Sequence, residues 1–373
     1  MVPSIVWQLV MVFLIIVAAI QVAYYVYFFA RLAFYKKKEK QTNQEYPVSV
    51  IICGRDEAAN FAKNLPGVLV QQYRTTHEVI VVNDNSVDES KYVIDELRKT
   101  FKHLVPVELT QEALMIRGKK FPLSMGIKTA KHEIVLLSDA DCIPASEEWI
   151  QKMQDGFTSN TEIVLGYGAY KKRPGVLNKI IRFETFHTAL QYLSYALADM
   201  PYMGVGRNLA YKKTLFFKNK GFSSINQIPG GDDDLFINQV AKPGNTAIMI
   251  DEEAFTISEP KRTWNEWMRQ KTRHLSTAQF YKTHHKNLLG LYAVSHGLFY
   301  PLLITAAFTG GWAWAVGVYL TRLLVQGIIF YKAMYKLKEQ DLWKFYPLFD
   351  IWMFAYYFIF ITALWKKPST DWN

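Results

Sequence analysis

The sequence predicts an α/β domain flanked by transmembrane α-helices, and three observations lead to this fold class. The 373-residue chain is 50% hydrophobic and 15% aromatic but only 20% charged, with its apolar residues concentrated near the two ends. Between the ends, short apolar runs alternate with amphipathic stretches, a pattern typical of an α/β sheet domain. Acidic groups follow several of these runs, at the positions where open α/β sheets bind ligands.

The first apolar segment predicts a transmembrane helix over residues 1–35. Residues 3–34 are almost continuously apolar, and this length exceeds the roughly 20 residues that span a bilayer. A cleaved signal peptide has basic residues before a shorter apolar core, whereas here the basic cluster at 36–40 follows the run. Because positive charges favour the cytoplasmic side, we expect the N-terminus outside and residue 36 onward in the cytoplasm.

Residues 46–260 are expected to form one cytoplasmic α/β domain. The hydrophobic pattern predicts strands at 48–53, 78–82, 104–107, 134–137, 162–170 and 247–250. It predicts helices at 57–72, 90–100, 123–131, 147–157 and 177–200, and one that opens at 232–234. The long segment 177–200 is rich in aromatic residues, which fits either core packing or a helix beside the acceptor.

The C-terminal third predicts further membrane segments. Residues 261–287 combine aromatic and basic side chains, as in an amphipathic helix at the membrane interface. Residues 288–365 predict two to three transmembrane spans. The run 288–331 allows two spans, near 290–309 and 312–331, with a turn at Gly310 and Gly311, or a single one, and 342–364 predicts one more. A basic loop around Lys336 is again expected in the cytoplasm.

The net charge of +10 could indicate a nucleic-acid partner. However, Lys and Arg cluster beside the apolar ends and before the acidic motifs, so membrane lipids and phosphates explain the charge better, and no nucleic acid is expected. The two cysteines, Cys53 and Cys142, lack metal-ligand spacing and cannot form a disulfide framework. A reducing compartment is therefore expected for this domain.

Asp139 and Asp141 directly follow the apolar run 134–137. If the chain stays extended there, both side chains project to the same side. Two adjacent carboxylates are costly unless a cation lies between them, although an ordinary acidic turn explains an isolated pair equally well. Because other acidic motifs follow strands at 56–57, 84 and 232–234, we interpret the pair as a metal site.

The chain resembles the family 2 glycosyltransferases in six segments. They are 48–60, 78–88, 118–126, 138–141, 206–211 and 231–235, in the order and spacing of that family. The resemblance covers about residues 46–275. It implies a GT-A fold, which is a Rossmann-like nucleotide-diphospho-sugar transferase domain, in a membrane-associated inverting enzyme.

The resemblance also implies residue roles on the donor side. Glu57 and Asp84 would hold the nucleotide base and ribose, and Lys119 would contact the diphosphate, unless it is a solvated surface lysine. Asp139 would contact the nucleotide and, with Asp141, hold Mg²⁺ or Mn²⁺. Substrate binding is also expected of Asn208, which follows a glycine-rich segment that a ligand can approach closely.

In the acidic run, the family pattern makes Asp232 the base that takes a proton from the acceptor hydroxyl. Leu235 sets this register, but Gly231 stands where the family has a first acidic residue, so Asp233 is the alternative base. Helix capping is the structural explanation for any of the three carboxylates.

Gln270, Arg273 and His274 resemble the Gln-x-x-Arg-Trp motif of processive synthases, with His in place of Trp. The motif would bind acceptor sugar and diphosphate, whereas a basic interfacial helix is the alternative. A histidine stacks less extensively than a tryptophan, so long-chain processivity is less expected.

The leading functional hypothesis is transfer of a sugar from a nucleotide sugar, with a family-level bias to UDP, to a lipid-linked or growing glycan acceptor. The enzyme would be a multi-pass protein of the cytoplasmic membrane with its catalytic domain in the cytoplasm. The alternatives are a processive polysaccharide synthase, a non-catalytic scaffold and a nucleotidyltransferase. The last would need a glycine-rich phosphate loop after the first strand, which 54–57 lacks.

Overall fold

The computed structural model describes residues 4–36, 45–110 and 118–365. Most of the basic cluster at 36–40 lies outside the described residues. Within them, the strands are β1 (Val48–Gly54), β2 (His77–Asp84), β3 (Leu104–Leu109), β4 (Ile134–Asp139), β5 (Cys142–Pro144), β6 (Ile163–Leu165), β7 (Gly168–Tyr170), β8 (Leu209–Lys212), β9 (Thr246–Ile248) and β10 (Thr256–Ser258).

The five helices predicted between residues 57 and 200 begin and end within three residues of their predicted positions. In the described ranges the helices are α1 (Ser4–Tyr24), α2 (Ala30–Ala33), α3 (Ala58–Leu69), α4 (Ser90–Thr100), α5 (Lys120–Thr129), α6 (Trp149–Asp155), α7 (Val176–Leu197), α8 (Lys213–Lys218), α9 (Asp234–Val240), α10 (Trp264–Leu275), α11 (Thr283–Ala306), α12 (Trp312–Lys336) and α13 (Tyr346–Phe360). A π-turn, Tyr25–Phe29, joins α1 to α2.

The central sheet has seven strands in the order β3-β2-β1-β4-β8-β6-β9. β3, β2, β1 and β4 run parallel, and β8 is antiparallel to both β4 and β6. The register sets Cys53 beside Asp139 and Gly54 beside Asn83. The ends of three predicted strands therefore meet at one edge of the sheet, as the motif positions required.

The predicted strand at 162–170 is wrong as a single element. β6 belongs to the central sheet, whereas β7 pairs with β10 in a second, three-stranded sheet with β5. Gly166 lies between them, where an added Cβ would come within 2.5 Å of the Asn208 side chain. The buried Asn208 also donates a hydrogen bond to the Tyr167 carbonyl (3.0 Å). The strand breaks because its backbone turns towards this amide.

The predicted amphipathic helix at 261–287 is shorter than expected. Thr263 and Glu266 form a capping box that begins α10. The helix ends at Leu275, and a 3-10 turn, Ala278–Phe280, separates it from α11. Residues 283–287 therefore belong to the first of the long apolar helices.

The segment 283–336 is a hairpin of two antiparallel helices. Gly310 has a φ of 103°, a conformation that glycine adopts without strain. Arg322 Nη2 lies 3.4 Å from His296 Nδ1, although residues 26 apart in one straight helix would be about 39 Å apart. The chain reverses at Gly310, and both helices of the hairpin pack against α1.

By length and composition, three helical stretches of the described chain could cross a membrane: Ile5–Ala33, Thr283–Lys336 and Gln340–Leu364. The third differs from a simple span. α13 has only 15 residues, about 22 Å along its axis, against a hydrocarbon core about 30 Å thick. Trp267 of α10 contacts Tyr356 and Phe360 along it, so α13 lies against the predicted interfacial helix.

The α/β domain and the apolar helices share one hydrophobic core. In α7, most residues are buried on all sides, because the helix lies between the sheet and the apolar helices. Phe183 of α7 stacks on Phe349 at 4.4 Å, and Tyr195 stacks on Phe28 at 4.3 Å. The connection between α12 and α13 also contacts the domain, since Arg182 forms a buried ion pair with Glu339.

Candidate functional site

A single cavity of about 1190 Å³ contains most of the predicted site residues. Its polar end lies at the strand edge, where Glu57, Lys119, Asp139, Asp141 and Asp232 line it. From there it continues past α7 and α10 to a region between α11 and α13. The acidic motifs and the apolar helices therefore face the same space.

Asp139 and Asp141 converge at the polar end of this cavity. The chain turns at residues 140–141 and does not stay extended, yet one oxygen from each carboxylate and the Cys142 sulfur lie within 4.8 Å of one another. Lys119 forms an ion pair with Asp139. Burial raises the pKa of Asp141, and the neighbouring Asp139 raises it further, so a cation added here would be stabilised by both carboxylates.

The donor set fits a hard divalent ion held by the two carboxylates. Cys142 is 1% exposed, and its sulfur lies 2.9 Å from the Ser258 hydroxyl. Burial raises the pKa of this thiol well above its usual value, and the nearby Asp141 raises it further. Since a protonated thiol is a poor ligand, Mg²⁺ or Mn²⁺ would bind through the Asp139 and Asp141 oxygens.

Arg207 is a site residue that the sequence reasoning missed. It lines the cavity, lies 4.4 Å from the Tyr170 ring centre and hydrogen-bonds Ser258. The positive charge of Lys119 lowers the pKa of Asp139, and the positive charge of Arg207 lowers it further by a smaller amount. The position of Arg207 next to Asn208, in the family-like segment 206–211, was the sequence feature that could have indicated it. Only the structure shows which of these two side chains lines the cavity.

The structure does not bring Asn208, which was expected to bind substrate, to the cavity. The residue is 0% exposed and does not line the cavity. Its amide donates to the carbonyls of Tyr167 and Ala254 and accepts from Trp149 (3.1 Å), which uses its hydrogen-bonding capacity inside the domain. Asn208 supports the backbone beneath the site and cannot contact a substrate with its side chain.

The two predicted nucleotide-binding residues lie at different positions. Glu57 lines the cavity, and burial raises the pKa of its carboxyl. Asp84 is 8% exposed and accepts a hydrogen bond from Asn85 (2.9 Å), but it lies outside the cavity lining. The structure therefore brings Glu57, but not Asp84, to the cavity itself.

The three carboxylates of the acidic run have different partners. Asp233 accepts from the backbone N–H groups of Gly206 and Asp234, both at 2.7 Å, and caps α9. Asp234 accepts hydrogen bonds from the hydroxyls of Thr277 and Tyr281. Asp232 lines the cavity, and its carboxylate makes no hydrogen bond or ion pair with any described side chain. Capping therefore explains one carboxylate and leaves Asp232 open to a ligand.

Gln270, Arg273 and His274 all line the cavity. Gln270 donates to the Tyr170 hydroxyl (3.3 Å), while its buried Oε1 has no partner among the described residues. Burial lowers the pKa of His274 well below its usual value, and Lys271 and Arg273 lower it further. The imidazole is therefore neutral at neutral pH and can accept or donate a hydrogen bond.

A polar neck lies between the two ends of the cavity. It is formed by Glu184, Thr185 and Thr188 of α7 together with Lys271. Lys271 forms a buried ion pair with Glu184, which also accepts from Thr188 (3.0 Å). The hydroxyl of Thr185 is buried without a partner among the described groups. Such groups are costly unless a ligand completes their hydrogen bonds.

Beyond the neck the cavity is apolar. Gly290 and Gly297, two turns apart on α11, line it with open space where a Cβ would lie. Val294 of α11 and Phe358 of α13 line it too and are 58% and 56% exposed. This end therefore offers uncovered hydrophobic surface beside helices suited to a bilayer.

A family model described as glycosyl transferase family 21 matches residues 10–373. The probable glycosyltransferase YdaM of Bacillus subtilis is 24% identical over 276 residues, 68% of this chain and 62% of that protein. A poly-beta-1,6-N-acetyl-D-glucosamine synthase of Staphylococcus epidermidis is 29% identical over 160 residues, 42% of this chain and 36% of the synthase. The matched segments span less than two thirds of these relatives.

Among solved structures, the mannosyltransferase PcManGT of Pyrobaculum calidifontis, in complex with GDP-Man and Mn²⁺, has a TM-score of 0.58 and 19% identity. The match covers 92% of this chain and 99% of that one. This likeness confirms the predicted GT-A fold.

Proposed function

The chain belongs to glycosyl transferase family 21, and from this premise we propose that it transfers one sugar, with inversion, from a nucleotide sugar to a lipid or lipid-linked acceptor at the membrane. The observation that carries the proposal is the continuous cavity from Asp139 and Asp232 to the apolar helices α11 and α13. A donor at one end and an acceptor with an apolar tail at the other would meet inside it.

The polar end suits a nucleoside diphosphate. Arg207 and Lys119 supply positive charge beside the carboxylate pair, and Glu57 lies at the end of β1, where the nucleotide would be held. Asp139 and Asp141 would hold Mg²⁺ or Mn²⁺, which would stabilise the charge on the departing diphosphate. The solved structure of PcManGT is a complex with GDP-Man and Mn²⁺, and the acidic pair here fits the same use.

Asp232 is the proposed general base. It lines the cavity without a hydrogen-bond partner among the described residues, whereas Asp233 and Asp234 are held by hydrogen bonds. A base must lie within hydrogen-bond reach of the acceptor hydroxyl whose proton it takes. That hydroxyl attacks the anomeric carbon as the bond to the diphosphate breaks, and the proton passes to the Asp232 carboxylate.

The acceptor is proposed to lie with its polar head at the neck and its apolar tail between α11 and α13. Glu184, Lys271 and the unpartnered Thr185 hydroxyl would hydrogen-bond the head. The open face of Gly290 and Gly297 leaves room for an alkyl chain. A purely water-soluble acceptor would leave this apolar surface uncovered.

The catalytic domain is proposed to face the cytoplasm, with α1, α11 and α12 as the spans. The hairpin leaves and returns on the domain's side, because Lys338, after α12, pairs with Glu252 of the domain (2.7 Å). Positive charge at Lys332 and Lys336 favours the cytoplasmic side for that end.

Processive polysaccharide synthesis is the second candidate, favoured by the relatives named poly-beta-1,6-N-acetyl-D-glucosamine synthase. His274 stands where the resemblance places the stacking tryptophan of such synthases, and the neck is lined by the buried Glu184–Lys271 pair. Both features favour a single transfer.

The proposal is tested with detergent-purified enzyme, with and without an added total lipid extract, and with radiolabelled UDP-glucose, UDP-N-acetylglucosamine or GDP-mannose. We expect nucleotide diphosphate release that needs lipid, and label in a lipid product that carries one added sugar. The matched control is Asp232→Asn, which should release no diphosphate above background. Long polymer retained on the enzyme would support the second candidate instead, and equal release without lipid would contradict a lipid acceptor.

A further inference from the structure

Lys120 is a fully buried lysine next to Lys119, the residue proposed to contact the diphosphate of the nucleotide sugar. The proposed reaction does not use Lys120. Its side chain is 0% exposed. Its ammonium donates to the backbone carbonyls of Ile228 and Gly230. A buried ammonium is costly and persists only where its environment compensates the charge. The two carbonyls and the nearby acidic run supply that compensation.

Lys119 and Lys120 point in different directions at the start of α5. Consecutive helical side chains lie about 100° apart around the axis. Lys119 therefore reaches Asp139 across the cavity, while Lys120 reaches the segment 228–231, just before the acidic run. The same turn therefore contacts both Asp139, at the proposed metal site, and the segment that precedes Asp232.

The backbone hydrogen bonds of segment 228–231 are local: Ile228 N–H donates to Ile225 and Phe236 N–H donates to Gly231, both at 3.1 Å. The segment lies outside any helix or strand, and both Gly230 and Gly231 have positive φ. An added Cβ on Gly118 would lie 3.7 Å from the Gly230 nitrogen, so the two turns touch directly. The Lys120 contacts therefore set where this segment lies, and with it the start of the acidic run.

We propose that Lys120 is a positioning residue, which holds segment 228–231 so that Asp232 faces the acceptor hydroxyl. The inference rests on the proposed role of Asp232 as base. Lys120 is not among the residues that line the cavity, and it would act through the backbone of segment 228–231. Lys120 adjoins Lys119. The first turn of α5 would therefore position both the donor diphosphate and the base.

The test compares Lys120→Met with Lys119→Met and with Lys128→Met, an exposed lysine of the same helix. Turnover and donor KM are measured with whichever of UDP-glucose, UDP-N-acetylglucosamine or GDP-mannose the unaltered enzyme uses. A base displaced by about 1 Å costs on the order of 100-fold in rate. We expect Lys120→Met to lower kcat by about that factor with the donor KM within about threefold, Lys119→Met to raise the donor KM, and Lys128→Met to change neither.

A second measurement is independent of any substrate. Hydrogen exchange of the backbone amides in 228–234 should be about tenfold faster in Lys120→Met and unchanged in the other two variants. If Lys120→Met does not fold, Lys120→Gln, which keeps one amide donor, carries both measurements.

Turnover within about threefold of the unaltered enzyme, a donor KM raised as in Lys119→Met, or unchanged exchange of 228–234 would each overturn the inference. Failure of the proposed function looks different. Asp232→Asn would then keep its turnover, while the exchange of 228–234 would still respond to Lys120.

Discussion

Two buried polar clusters of the described chain differ in how completely their polar groups are paired. Between the apolar helices, Arg322 donates to both oxygens of Asp350 (2.6 and 3.0 Å) and to Tyr25, and Gln326 donates to Asp350. In the cavity, by contrast, Asp232 and the buried oxygens of Thr185 and Gln270 have no partner among the described side chains. We call the first cluster closed, because its charged groups are paired with one another, and the second open, because some of its polar groups have no partner among the described side chains.

The comparison separates structural charge from functional charge. An ionisable residue among membrane helices is by default a functional candidate, yet the Arg322–Asp350 cluster leaves no space for a ligand, since both residues are 1% exposed. Its physical role is to join α1, α12 and α13. Partnerless polar groups in a cavity are instead costly until a substrate binds. Pairing, more than charge, distinguishes the two.

Replacing the open carboxylate should give the largest effect on catalysis. Asp232→Asn is expected to lower transfer by about 10²- to 10⁴-fold, because general bases contribute that much. Its melting temperature should stay near that of the unaltered protein, since no described residue forms a hydrogen bond or ion pair with the Asp232 side chain. Turnover and thermal unfolding in detergent are measured side by side. A melting temperature that falls together with activity would show that Asp232 stabilises the fold, as the Arg322–Asp350 pair does.

Opening the closed cluster should have the opposite signature. Asp350→Asn leaves the Arg322 guanidinium without a counter-charge, which typically costs about 3–5 kcal/mol for a buried pair. We expect a lower melting temperature, while the residual folded enzyme keeps its donor KM. The double variant Arg322→Met with Asp350→Leu, which removes both charges, should recover part of the stability. A double variant less stable than Asp350→Asn would contradict this reading.

The metal pair gives an intermediate effect. Asp139→Asn should weaken Mn²⁺-dependent donor binding by about tenfold or more, because one hard oxygen ligand loses its charge. Isothermal calorimetry with UDP or GDP, with Mn²⁺ and with a chelator, measures this. Chelation should weaken binding to the unaltered enzyme and change the variant little. Equal affinities with and without Mn²⁺ would exclude the pair as the metal site.

The pH dependence of stability gives the smallest test. Burial, and then the neighbouring carboxylates Asp232 and Asp234, raise the pKa of Asp233 to about 8. Between its ordinary value of 3.8 and about 8 the folded state thus binds more protons than the unfolded state, so stability should fall as pH rises through that window. Asp233→Asn removes this titration and should flatten the curve of melting temperature against pH. Curves that run parallel would contradict the assignment.

Local sequence determined much of the fold. The apolar runs place β1, β2 and β4 within two residues of their observed ends, because buried parallel strands need continuous apolar segments. The acidic motifs after these strands predict the polar end of the site, because parallel strands deliver their ends to one edge. The glycines at 310–311 predict the hairpin turn, since few other residues adopt a positive φ.

Tertiary structure decided which side chains face the cavity. Asn208 turns inward to Trp149 and Ala254, while its neighbour Arg207 faces the cavity. Asp233, which caps α9, has its second carboxylate oxygen held by the backbone N–H of Gly206, 27 residues earlier in the chain. The buried contacts of Lys120 reach residues more than 100 positions away. A motif fixes which residues are available, but the hydrogen-bond partners that select among them come from distant parts of the chain.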